Sequence, residues 1–120
     1  MKKTFIEGEI LKGYEVIKYA MDMHYPTWDT LGRAESNIPN RINEDSDYIL
    51  KEININLIEE PIFTIYDESI GEYMKLDIDT MPPIVLEFVD NRYYIVDGCH
   101  RYLVAKKLCK ESILAYIPII

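Results

Sequence analysis

A carboxylate, a thiol, an imidazole and a guanidinium fall within five residues, Asp97-Gly98-Cys99-His100-Arg101. The apolar run Tyr93-Tyr94-Ile95-Val96 precedes them and reads as a strand. An amphipathic helix begins near Cys99 and carries Val104, Ala105, Leu108 and Cys109 on one face. Gly98 therefore stands at a strand-to-helix turn, where the missing Cβ lets the backbone approach a ligand closely. The first N–H groups of the helix have no intrahelical partner and favour negative charge. Arg101 is out of place on dipole grounds, because cations are disfavoured at a helix N-terminus. An anion such as a phosphate in the turn would account for it.

Several readings of these side chains stay open. Cys99 is either a small, partly buried residue at a helix start or a reactive thiol. Asp97 fits an N-cap, accepting from the first helical N–H groups. It fits equally a ligand for Mg²⁺ or a base acting on a substrate hydroxyl. Arg101 is either a phosphate ligand or an exposed helix charge.

The chain must supply elements that hold such a turn in place. Its 120 residues and apolar share of 48% are enough for one domain with a core. The net charge is −8. Phosphate neutralisation supplies most non-specific affinity for nucleic acid, so a nucleic-acid partner is not expected. The local basic run Lys106-Lys107, with Lys110 and Arg101, reads as a solvated helix face. No run of apolar residues is long enough to span a bilayer. Met1–Glu7 lacks the apolar stretch of a signal peptide, so a cytoplasmic location is expected. Cys99 and Cys109 would lie ~15 Å apart along one helix, too far for a disulfide. Neither cysteines nor histidines have zinc-ligand spacing, and no structural metal site is expected.

Ile10, Tyr14, Ile17, Met21 and His24 recur at helical spacing, which predicts a helix ended by Pro26. Thr27 can cap a short second helix, and Ser36–Asp47 reads as a loop. Alternation in Ile53–Leu57 predicts a strand, as does Ile62–Tyr66, and Ser69–Lys75 predicts one or two helical turns. Ile84–Val89 and Tyr93–Val96 form a predicted hairpin about Asp90-Asn91, two residues that tolerate positive φ. The helix from Cys99 to Lys110 and a strand over Ile113–Ile117 complete the pattern. Cys109 is expected in the core, and His24 on an apolar stripe is a satisfied interfacial histidine rather than a ligand. Trp28 and the ten tyrosines read as packing or surface residues, and Glu59-Glu60 with Asp67-Glu68 as solvated surface. The expected architecture is α+β, with helical residues 1–48 preceding a sheet domain over 49–120.

The order Met81-Pro82-Pro83-Ile84, hairpin, Asp97-Gly98-Cys99-His100-Arg101-Tyr102, helix, strand resembles the ParB/sulfiredoxin superfamily. Gly-Cys-His-Arg at a helix start and Pro-Pro-Ile before a strand are similar to sulfiredoxins, whereas Asp97 before the glycine resembles ParB-like branches carrying Asp-Gly-x-x-Arg. The resemblance spans residues 81–117. It implies a small mixed sheet with packed helices, and ATP or another nucleotide with Mg²⁺ as cofactor. It also implies that Gly98 allows close phosphate approach and that His100 and Arg101 contact phosphate oxygens, arginine gripping two at once. Cys99, at a helix N-terminus beside two basic residues, would have thiolate character and could serve as a nucleophile. The expected activity is phosphoryl transfer or phosphohydrolysis, with Cys99 and Asp97 as catalytic residues, or sulfiredoxin-like reduction. The alternatives are a nucleotide-gated binding module and a protein-interaction accessory factor of a phage or mobile element. Both imply a protein partner, and for the nucleotide-gated module Tyr14 and Trp28 in the helical segment are the expected surface.

Overall fold

The computed structural model describes residues 5–21, 41–60 and 81–119, with the backbone alone for Cys99 and His100. Among these residues, five strands form one mixed sheet in the order β1-β2-β5-β3-β4. They are β1 (Ile10–Lys12), β2 (Asp47–Asn54), β3 (Ile84–Val89), β4 (Arg92–Asp97) and β5 (Ser112–Pro118). Two helices are described, α1 (Gly13–Met21) and α2 (Cys99–Lys107). The fold is α+β, as expected. The predicted segments Ile62–Tyr66 and Ser69–Lys75, the helix at Thr27, and His24 and Trp28 lie outside the described residues.

The hairpin forms where its turn chemistry predicts. Asp90 and Asn91 have φ of 51° and 65°, the left-handed pair that matches the twist of two antiparallel strands. β5 is the central strand, antiparallel to β2 and parallel to β3. Being covered on both faces, it is apolar from Ile113 to Ile117 rather than alternating. Ile113, Ala115 and Ile117 face one cluster with Ile53, Ile84, Leu86, Ile95, Tyr102 and Ala105. Tyr116 faces the other, with Val16, Ala20, Tyr48, Leu50, Val85 and Val96. The sheet is therefore a middle layer, with α2 on one face and α1 on the other.

The N-terminal segment departs from its expected form. Ile10–Lys12 is a strand paired antiparallel with Ile49–Asp47, so the helix begins only at Gly13. The expected boundary between residues 48 and 49 falls inside β2, and β1 adds to the same sheet. The predicted apolar stripe is also not the buried one. Ile10, Tyr14 and Met21 are 57%, 61% and 53% exposed, and the inward face is Gly13, Val16 and Ala20. Small residues face inward because α1 lies tight against the chain before β2. A Cβ on Gly13 would sit 1.8 Å from the Asn43 carbonyl oxygen. Glu15 reaches back to the Lys12 N–H at 3.0 Å, half of a capping box at the helix start.

Two further boundaries move. Ile55–Leu57 is a short 3-10 helix rather than strand, with the Asn54 side chain accepting from the Asn56 N–H. α2 stops at Lys107, and Cys109 is exposed rather than in the core. The stop is a Schellman closure, in which the Cys109 N–H bonds the Lys106 carbonyl and the Lys110 N–H bonds the Ala105 carbonyl. It places Cys109 at φ 58°, a position that favours glycine.

Cys109→Gly should accordingly raise stability by up to about 1 kcal/mol in urea unfolding, from relief of the left-handed backbone net of the glycine's extra unfolded-state entropy. An unchanged or lower midpoint would count against this helix end. A second expectation concerns pH. Burial pushes the phenols of Tyr48 and Tyr102 up from their ordinary value. Both bind their protons more tightly folded than unfolded, so their stability is full below about pH 10 and declines as pH rises beyond it. The urea midpoint should fall on that limb, and less steeply in Tyr48→Phe, which has no proton to lose.

Candidate functional site

The turn at residues 97–101 is built from the β4 end, Gly98 and the first turn of α2. A bulge near Val85 and Leu86 shifts the hairpin register, so Leu86 faces Ile95 while Val85 faces Asp97. The extra residue, Val96, lets the strand bend as it delivers Asp97 to the turn. Gly98 has φ 111° and ψ 29°, and a Cβ there would meet the Ile84 Cγ2 at 2.4 Å. Both its backbone angle and its surroundings require glycine.

α2 starts without a side-chain cap. Its N-cap is Gly98, not Asp97, and the first intrahelical bond runs from the Tyr102 N–H to the Gly98 carbonyl at 2.9 Å. The N–H groups of Cys99, His100 and Arg101 precede that bond and have no intrahelical acceptor. Lys106 and Lys107 at the far end complement the helix dipole.

Arg101 turns inward. Only 4% of the residue is exposed, so it does not share the solvated face expected of the basic run. Its Nη1 donates to the carbonyls of Pro82 at 3.0 Å and Pro83 at 2.6 Å. Its Nη2 donates to Asp97 Oδ2 at 3.0 Å. Asp97 thus spends an oxygen on Arg101 rather than on capping the helix. Pro82 and Pro83 are fully buried and lack N–H groups, but their carbonyls still need donors. The guanidinium supplies them. The Tyr19 hydroxyl of α1 also donates to the Pro83 carbonyl, at 2.5 Å.

The structure therefore brings Asp97, Gly98 and Arg101 together and sets the backbone of Cys99 and His100 at the first two helical positions. Sequence reasoning missed Pro82 and Pro83 as acceptors and Tyr19 as their second donor. The Pro-Pro pair ahead of a strand was a usable signal for the first. Nothing local signals the second, since Tyr19 and Pro83 are 64 residues apart. A cleft of about 300 Å³ lies toward the other end of α2, lined by Met81, Pro82, Ala105, Lys110, Ser112 and Ile113 among others. Among the described side chains of the turn, neither Asp97 nor Arg101 lines it. Among the described residues, no three His, Cys, Asp or Glu side chains are placed to hold a metal. No helix there is long and apolar enough to cross a membrane.

Comparison with known proteins places this geometry in a family. The ParB N-terminal domain matches residues 40–120, and the chain belongs to that family within the ParB/sulfiredoxin superfamily. Among solved structures, the chain is similar to sulfiredoxin from Arabidopsis thaliana, with 26% identity and a TM-score of 0.47 over 57% of this chain and 83% of that one. No curated protein matches it.

Removing Arg101 leaves the buried Pro82 carbonyl and a largely buried carboxylate without their donor, and the Pro83 carbonyl with Tyr19 alone. Arg101→Ala should cost about 3–5 kcal/mol in urea unfolding, the range for breaking a buried pair. Arg101→Lys keeps the charge but not the fork and should recover only part of that. A loss below about 1 kcal/mol would show that the guanidinium does not hold this turn.

Proposed function

We propose that the protein binds a nucleotide through its phosphates at the α2 N-terminus and transfers or hydrolyses a phosphoryl group there. The observation that carries this reading is the uncapped start of α2. Three successive N–H groups without intrahelical acceptors follow Gly98, whose missing Cβ makes room for the Ile84 side chain behind the turn. Such an end is a ready anion site. ATP or another nucleotide would supply the phosphoryl group, and Mg²⁺ would arrive with it, since the described residues offer no metal cluster of their own.

The side chains divide the work differently from the sequence expectation. Arg101 acts from behind the turn, holding Gly98 and Asp97 in place, while the backbone N–H groups and His100 meet the phosphate. Asp97 has Oδ1 left for a magnesium ion or a substrate hydroxyl, its side chain being 12% exposed. Cys99 stands at the first helical position, where the helix N-terminus favours a thiolate, and it is the residue for a sulfiredoxin-like reaction. The compartment in this reading is the cytoplasm.

A second reading is a protein-interaction factor, nucleotide-gated or independent of nucleotide, of the accessory kind found in phages and mobile elements. It draws on Ile6, Ile10, Tyr14 and Met21, which are large, apolar and exposed near the N-terminus. Such surfaces are common where proteins meet.

Isothermal titration of ATP and CTP with Mg²⁺ tests the first reading. Arg101→Ala is a poor probe, because it should damage the fold. His100→Ala is the better one and should weaken binding by about 10-fold or more, the worth of a charge-assisted hydrogen bond. Phosphate release on the same samples separates an enzyme from a binding module. A folded wild-type protein that binds neither nucleotide overturns the reading in favour of the interaction factor.

A further inference from the structure

α1 and α2 lie on opposite faces of the sheet, yet their side chains meet at one atom. The Pro83 carbonyl oxygen accepts from the Tyr19 hydroxyl of α1 and from Arg101 Nη1 of α2. Pro83 immediately precedes β3, whose first residue, Ile84, packs against Gly98. Arg101 continues the chain of contacts to Asp97 on the other side of Gly98. A shift of the Pro83 carbonyl therefore moves two of the supports of the turn together, the guanidinium and the Ile84 side chain.

We propose that Tyr19 is a positioning residue for the 97–101 turn, acting through the Pro83 carbonyl and Arg101. Its consequence for ligand affinity rests on the phosphate reading given above. Buried groups satisfied as a connected set have fewer alternative arrangements than the same groups satisfied in pairs. A turn held in its binding geometry avoids an ordering cost when an anion arrives. Tyr19 is itself fixed by edge contacts to Phe5 and Tyr116, with ring centroids 5.9 Å and 5.2 Å away. The hydroxyl's aim thus depends on how the α1 layer packs, and the turn is coupled to that packing through the Pro83 carbonyl.

The test uses the full chain, ligand-free, by ¹⁵N-edited NMR of wild type, Tyr19→Phe and Phe5→Leu. Tyr19→Phe deletes the donor and keeps the ring. Phe5→Leu loosens the packing of the same ring and keeps the donor, so it controls for general destabilisation. In Tyr19→Phe the Gly98 amide and the Arg101 Nε–H signals should shift, and their exchange with solvent should quicken by about two- to tenfold. Phe5→Leu should leave them nearer wild type at a comparable loss in Tm. Nucleotide with Mg²⁺ should then bind Tyr19→Phe more weakly, by at most about tenfold, the full worth of one hydrogen bond. Wild-type signals in Tyr19→Phe would overturn the proposal, as would equal changes in Phe5→Leu. If the signals move but wild type binds no nucleotide, the positioning role stands and the phosphate reading falls.

Discussion

A single buried cation organises the region around the α2 N-terminus. Arg101 gives up its hydration, and the cost is offset only because three acceptors meet its fork, two successive proline carbonyls and one carboxylate. The relation is reciprocal. Pro82 and Pro83 bring two carbonyls into the core without bringing any N–H groups, so they need donors and supply none. A lysine could not serve the same three oxygens, because its ammonium lacks a planar fork. The entry to β3, the end of β4 and the start of α2 are thus fixed by one side chain. Gly98 lies between them because nothing larger fits beside Ile84.

This arrangement has an electrostatic consequence for the turn. Asp97 largely neutralises Arg101, so the pair contributes little net field to the helix end in front of it. What remains attractive to an anion is the helix terminus, with partial positive charge on the unpaired N–H groups. Asp97 works against a bare phosphate there, as any carboxylate beside an anion site would. A phosphate carrying a divalent cation meets the opposite situation, since the cation can face the free Asp97 oxygen. On the proposed function, a magnesium-bound polyphosphate would suit this turn better than free phosphate.

The C-terminal half of the fold was legible because its signals are local. Asp90-Asn91 set the hairpin, Ile113–Ile117 announced the last strand, and Gly98 marked the strand-to-helix turn. The N-terminal part was not, because tertiary contacts decide it. Ile10 has helical spacing to Tyr14 and Ile17, but its backbone pairs with Ile49, far along the chain. The inward face of α1 consists of Gly13, Val16 and Ala20, which carry a weak hydrophobic signal and are chosen for closeness of approach. Cys109 follows the same rule, since helix closure rather than periodicity determines its exposure. For the candidate site, the residue types pointed to a turn that the structure forms but not to the direction of Arg101. Whether a guanidinium faces a ligand or the core depends on acceptors contributed by Pro82 and Pro83, which only the folded chain brings to it.

The inward Arg101 also changes what Gly-Cys-His-Arg can be taken to mean. Gly98 and Arg101 each have a reason to be present that involves folding alone. A chain could keep both and bind nothing. Helix geometry makes no such demand for a thiol and an imidazole at the first two positions, where better helix formers would serve. On the proposed function, the chemistry of the motif would rest with Cys99, His100 and the N–H groups beside them, and the flanking pair would hold the turn that carries them. Membership of the ParB N-terminal domain family is consistent with that division, because one buried scaffold can support different chemistry through two residues at its helix start.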